Sequence, residues 1–79
     1  MSREQLMKKM EEIFRDVFED DAIELTEKMN SADIEGWDSL AQISILAAVQ
    51  DEFHVKFNID EIVALKNVGD LVNAIERKL

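Results

Sequence analysis

The chain has 79 residues, 47% of them hydrophobic, with no cysteine and a formal charge of −9. That length predicts one small domain over residues 1–79 without room for a second core, and the missing thiols exclude disulfides and cysteine-ligated metals. An acidic surface repels phosphate backbones, which argues against nucleic-acid binding, and no apolar run reaches the roughly 18 residues of a membrane span.

The amino end, Met1-Ser2-Arg3-Glu4-Gln5, lacks the basic-then-apolar order of a secretory signal. The expectation is a cytoplasmic monomer whose negative charge draws basic patches on protein partners. Ser2 and Gln5 have the spacing of a capping box. After them Leu6, Met7, Met10, Ile13, Phe14, Val17 and Phe18 recur at intervals of three and four, which predicts an amphipathic helix burying one face.

From Glu19 to Asp38 the periodicity stops. Asp20-Asp21, Asn30-Ser31 and Glu35-Gly36 are loop residues, and Ile23, Leu25, Met29 and Ile34 are isolated apolar anchors. Loops of this length in small domains are uncommon and often functional. Asp20 and Asp21 are followed by Ala22 and Ile23, with no glycine at the turn position of a calcium loop, so no metal site is expected.

A second helix is expected from about Ser39 to Phe53. On its wheel Ile45, Leu46, Val49 and Phe53 form one apolar stripe, while Leu40, Ile43 and Ala47 form another. One stripe suffices for a core; the second is either buried in a bundle or presented to partners. The lone His54 closes this helix, as a charge partner for its carboxyl end or simply as an exposed residue. Val55-Lys56-Phe57 is too short to make a sheet. Asn58 with Glu61 caps a short helix from Ile59 to about Leu65. Asn67 caps a last helix carrying Val68, Leu71, Val72, Ile75 and Leu79 at core spacing. The fold predicted is all-α: a small four-helix bundle with three longer helices, a short third helix and a long loop after the first.

The stretch Gly36-Trp37-Asp38-Ser39-Leu40 stands where loop meets second helix. Read by spacing, Ser39-Leu40-Ala41-Gln42 is itself a capping box, and Asp38 can cap the helix instead. Neither reading needs a function for Ser39. A hydrolase nucleophile is excluded, because the single histidine lies fifteen residues away, over roughly 20 Å along a helix, and no strand or flanking glycines form a nucleophile elbow. No catalytic residue is assigned.

With Asp38-Ser39-Leu40 opening the second helix, Glu52-Phe53 closing it and a four-helix order around a long first loop, the chain resembles the acyl carrier proteins and related peptidyl carrier domains along its whole length. The resemblance implies that a phosphopantetheinyl transferase attaches 4′-phosphopantetheine from coenzyme A to Ser39, and that acyl groups ride on the arm as thioesters. It further implies partner or transferase recognition by Asp38, Leu40, Ile43, Ala47 and Ile62, and contact of arm or acyl chain with Trp37 and Leu46. Acyl-activating enzymes, acyltransferases and condensing enzymes are the implied partners. Many fatty-acid carriers have acids along the second helix, whereas here Ala41, Gln42, Ser44 and Gln50 are uncharged; Trp37 is bulkier than the residue common at its position. Both departures point to a specialised fatty-acid, polyketide or lipid pathway. The alternatives are an aminoacyl or peptidyl carrier and an unmodified helical adaptor that binds through Leu40, Ile43 and Ala47.

Overall fold

The computed structural model describes residues 2–79. Four helices, α1 (Arg3–Phe18), α2 (Ser39–Phe53), α3 (Ile59–Val63) and α4 (Val68–Lys78), account for its regular structure, and there is no strand among the described residues. The all-α fold with a short third helix is as the periodicity predicts.

Each helix starts where the sequence supplies a cap. Ser2 Oγ accepts from the Gln5 amide at 3.2 Å while Gln5 Oε1 accepts from the Ser2 amide at 2.9 Å. Asn58 and Glu61 form the same reciprocal pair at 2.8 and 3.0 Å, and Asn67 Oδ1 takes the Asp70 amide at 2.8 Å. These bonds satisfy amides that have no partner within their own helix.

The helix ends are less conventional. Glu19 closes α1 and His54 closes α2 in the left-handed region, at φ 51° and 55°, a position that usually takes glycine. His54 is exposed, and its backbone amide caps the Gln50 carbonyl. The third helix stops at Val63 rather than near Leu65. Ala64 and Leu65 donate to the carbonyls three residues back, Glu61 and Ile62, both at 3.2 Å, and this tight turn lets Leu65 pack against the core.

The core is built by α1, α2 and α4, with α1 packed on both others. Leu6, Met10 and Phe14 meet Ile45, Leu46, Val49 and Phe53 from α2 and Val68, Leu71, Val72 and Ile75 from α4. Of the two stripes of α2, that of Ile45, Leu46, Val49 and Phe53 is therefore the buried one, and Leu40, Ile43 and Ala47 are exposed. α3 contributes no fully buried residue; Ile62 only leans on the core.

Residues 19–38 are held down by both kinds of contact. Ile23, Leu25 and Ile34 are buried anchors. Arg15 Nε donates to the Ile23 carbonyl at 2.8 Å, and Glu11 accepts from the Leu25 amide at 3.0 Å. On the other side, the carbonyls of Met29 and Glu27 accept from the Val68 and Gly69 amides at 2.9 and 2.8 Å, so the loop caps α4. Gly69 suits this approach, since a Cβ there would lie 3.1 Å from the Glu27 carbonyl oxygen, a tight contact to which the loop would have to yield. Arg3 completes the clasp, bonding Glu27 at 2.6 and 3.0 Å, Asn73 at 2.8 Å, and the Glu76 carboxylate.

These contacts give the fold an acid limit. The hydrogen bond from Arg3 holds the Glu27 carboxyl below its ordinary value of 4.5. Glu61 is also lowered from 4.5, first by the Asn58 amide and then by Lys78. A carboxylate with a depressed folded-state pKa stabilises the fold fully above its unfolded value and loses that contribution as pH falls through the depressed one. The melting temperature is expected to drop on acidification below about 4.5, and Glu27→Gln should reduce that drop; thermal melts across pH check it. Phe14→Ala, which empties the centre of the core, should cost about 3–5 kcal/mol in chemical denaturation.

Candidate functional site

The chain arrives at α2 through a sharp turn. Gly36 has φ +87°, a conformation that side chains rarely adopt, and the Asp38 amide donates back to the Gly36 carbonyl at 3.0 Å. Asp38 is extended and caps the helix: its Oδ1 accepts from the Ala41 amide at 2.9 Å, and its carbonyl accepts from the Gln42 amide at 2.9 Å. Of the two capping readings, Asp38 rather than Ser39 is realised. Ser39 is the first helical residue, exposed, with no hydrogen bond to its hydroxyl among the described residues.

Gln42, the would-be box partner of Ser39, is used elsewhere. Trp37 Nε1 donates to Gln42 Oε1 at 2.7 Å. The indole is half-buried and stands edge-on to Phe14, ring centroids 5.0 Å apart, with Phe18 at 6.4 Å. Such aromatic pairs add about 0.5–1.5 kcal/mol beyond the area they bury. The residue two before Ser39 is thus tied to α1 through its ring and to α2 through its ring nitrogen.

Beside Ser39 an open groove of about 560 Å³ runs between the first half of α2, α3 and the turn into α4. Of the residues singled out in the sequence, Trp37, Asp38, Ser39, Ile43 and Ile62 line it. Leu40 and Ala47 are exposed but lie outside the lining, and Leu46 is buried in the core rather than placed on the groove. Gln42, Val63 and Lys66 line the groove without having been read as site residues. Gln42 had a signal, its position three after Ser39, but that signal pointed to a cap. Val63 and Lys66 had none, because their placement depends on the turn that ends α3.

The chemistry open to this arrangement is narrow. His54 caps the opposite end of α2 from Ser39, roughly 20 Å off at the rise of a helix. Asp38, the neighbouring acid, has Oδ1 engaged as the cap. The amides of Ser39 and Leu40 carry no acceptor among the described residues, and a helix amino end of this kind favours an anion. An accessible hydroxyl at such a place suits a phosphoester installed by another protein.

A family model described as phosphopantetheine attachment site matches residues 8–75. The chain is 32% identical over 78 residues to an acyl carrier protein of Thermotoga maritima, covering 99% of this chain and 96% of that one. It is 32% identical over 76 residues to an acyl carrier protein of Lactobacillus acidophilus, covering 96% and 95%. The solution structure of a holo acyl carrier protein from Geobacter metallireducens superposes with a TM-score of 0.86 at 38% identity, covering 91% of this chain and 83% of that chain.

The capping geometry can be checked directly. Asp38→Ala should lower stability by about 1 kcal/mol through loss of the cap, and Asp38→Asn, which keeps an acceptor, should restore most of it. Trp37→Phe removes the ring donor and should cost about 1 kcal/mol. Denaturant titrations of the three variants give these values.

Proposed function

The chain belongs to the acyl carrier protein family, and on that premise we propose that Ser39 is the residue to which its 4′-phosphopantetheine is attached. The observation that carries this is the state of the Ser39 hydroxyl: exposed at the first position of α2 and left uncommitted because Asp38 supplies the cap. The chain is a carrier and not a catalyst. Its prosthetic group supplies the terminal thiol on which an acyl group is held as a thioester, which is consistent with a chain that has no cysteine of its own.

Attachment is a transfer from coenzyme A. A bond forms between Ser39 Oγ and phosphorus as the pyrophosphate linkage breaks. Adenosine 3′,5′-bisphosphate leaves with the electron pair, and the serine proton passes to a base on the transferase. The chain's own part is presentation: Asp38 fixes the helix start, Trp37, the residue before it, is anchored against Phe14 and Gln42, and the free amides of the first turn would favour the phosphodiester's charge. No helix among the described residues is long and apolar enough to cross a membrane. We read the protein as a monomeric cytoplasmic carrier acting as one domain. Its partners are a phosphopantetheinyl transferase and then acyl-activating, acyltransferase and condensing enzymes of a specialised fatty-acid, polyketide or lipid pathway. Asp38, Leu40, Ile43, Ala47 and Ile62 form the recognition surface in this reading, and Trp37, which lines the groove, would contact the arm.

Incubation with coenzyme A and a broad-specificity phosphopantetheinyl transferase should add one phosphopantetheine to the intact mass of the wild type and none to Ser39→Ala. Absence of the addition on folded wild type would overturn the assignment.

A further inference from the structure

Only two charged side chains line the groove beside Ser39: Asp38 and Lys66. Asp38 Oδ1 is engaged as the cap of α2. Lys66 is exposed, and its ammonium has no ion-pair partner among the described residues, although the chain holds 18 acids against 9 bases. Its backbone is fixed all the same. The Lys66 amide donates to Asp70 Oδ2 at 2.9 Å while the Asp70 amide donates to Asn67 Oδ1 at 2.8 Å, a reciprocal pair that sets the turn into α4.

Two side-chain amides on the same lining are left with donors. Gln42 Oε1 is taken by the Trp37 ring N–H and Asn67 Oδ1 by the Asp70 amide. A side-chain amide has one acceptor oxygen and two N–H donors, and neither NH2 group has an acceptor among the described residues. The remaining lining includes Ile43, Ile62 and Leu71. One ammonium and two free NH2 groups beside apolar side chains suit an anion followed by alkyl and carbonyl groups. That is the chemical order of 4′-phosphopantetheine from its attachment point: a phosphodiester, a dimethyl-substituted carbon, then two amides. The volume, about 560 Å³, is in the range of about 300–1,000 Å³ for small-molecule sites.

Resting on the carrier reading above, we infer that Lys66 pairs the phosphodiester on Ser39 and that Gln42 and Asn67 donate to the arm's amide carbonyls, so that the unloaded arm is held along the groove. A phosphodiester on Ser39 puts a second negative charge beside Asp38, and Lys66 is the one cation of the lining that offsets both. Bonds to charged groups are the strong ones. They are needed here, because immobilising a flexible arm costs its conformational freedom.

The test uses the intact protein loaded by a broad-specificity transferase from ¹⁵N-labelled coenzyme A, with NMR relaxation measured at both amides of the arm. On wild type their order parameters should be about 0.6 or above, and on Lys66→Met they should fall below about 0.6, the range of a flexible chain. Lys66→Arg should restore the wild-type values, and Lys56→Met, an exposed cation outside the groove lining, should leave them unchanged. In ¹⁵N-labelled protein the side-chain NH2 resonances of Gln42 and Asn67 should shift on loading. Circular dichroism checks that each variant is folded. Arm amides in the flexible range on loaded wild type overturn the proposal, as does a Lys66→Met arm as ordered as that of wild type; both leave the carrier reading standing. Wild type that takes up no arm removes the carrier reading itself and this proposal with it.

Discussion

A loop with neither helix nor strand has to find partners for its backbone, because a buried amide or carbonyl left unbonded costs as much as a lost hydrogen bond. In this protein the connection between α1 and α2 solves that problem by becoming a cap. Its carbonyls at Glu27 and Met29 take the free amides of α4, while its Ile23 and Leu25 backbone groups are taken by side chains of α1. Two sets of orphan groups satisfy each other, and the same bonds brace the first helix against the last. The apolar anchors Ile23 and Leu25 are buried with peptide groups that this arrangement satisfies, and the Ile34 carbonyl is taken by the Trp37 amide.

The bracing determines what happens at the far end of the loop. Once Ile34 is fixed, Gly36 reverses the chain and Trp37 enters the aromatic contact with Phe14. The start of α2 is then located by the core and not by the loop. Asp38 meets the helix's need for a cap, and Ser39, one residue on, is left with a hydroxyl that the fold does not use. The groove beside it has unequal walls. The α2 wall is rooted in the core through Ile45, Leu46 and Val49. The α3 wall has five helical residues, none fully buried, and relies on the Asn58 cap, the Glu61–Lys78 ion pair and the partial burial of Ile62. Segments with so few buried contacts are the ones that open at low free-energy cost.

How much of this could be read from the sequence follows from the range of the interactions. Helix starts were legible because a cap and the amide it serves lie within three residues: Ser2 with Gln5, Asn58 with Glu61, Asn67 with Asp70. That α2 carries two apolar stripes was legible because their spacing is a property of the helix alone; which of them is buried depends on where α1 and α4 pack. Ser39 and Asp38 could not be separated as caps, since both residue types suit the position and the decision lies in the turn made by Gly36. The helix ends were harder still. Glu19 and His54 adopt the left-handed conformation without being glycine, so no residue marks the stop. Nothing local in α4 marks Gly69; what it lies close against is a carbonyl some forty residues earlier in the chain, at Glu27. The groove wall formed by Val63 and Lys66, and the withdrawal of Leu46 into the core, likewise depend on how separate segments meet.

Trp37 is the single tryptophan in the chain. It sits two residues before Ser39, with its ring nitrogen bonded to Gln42 and its edge against Phe14. The indole is the one chromophore of its kind and it stands at the mouth of the groove, so the native protein carries an optical reporter of its own site. Indole emission shifts with the polarity around the ring and with the hydrogen bond at its nitrogen. Occupancy of the groove, displacement of α3 or seating of a partner can therefore be followed in real time on unlabelled protein, with no second tryptophan to dilute the signal.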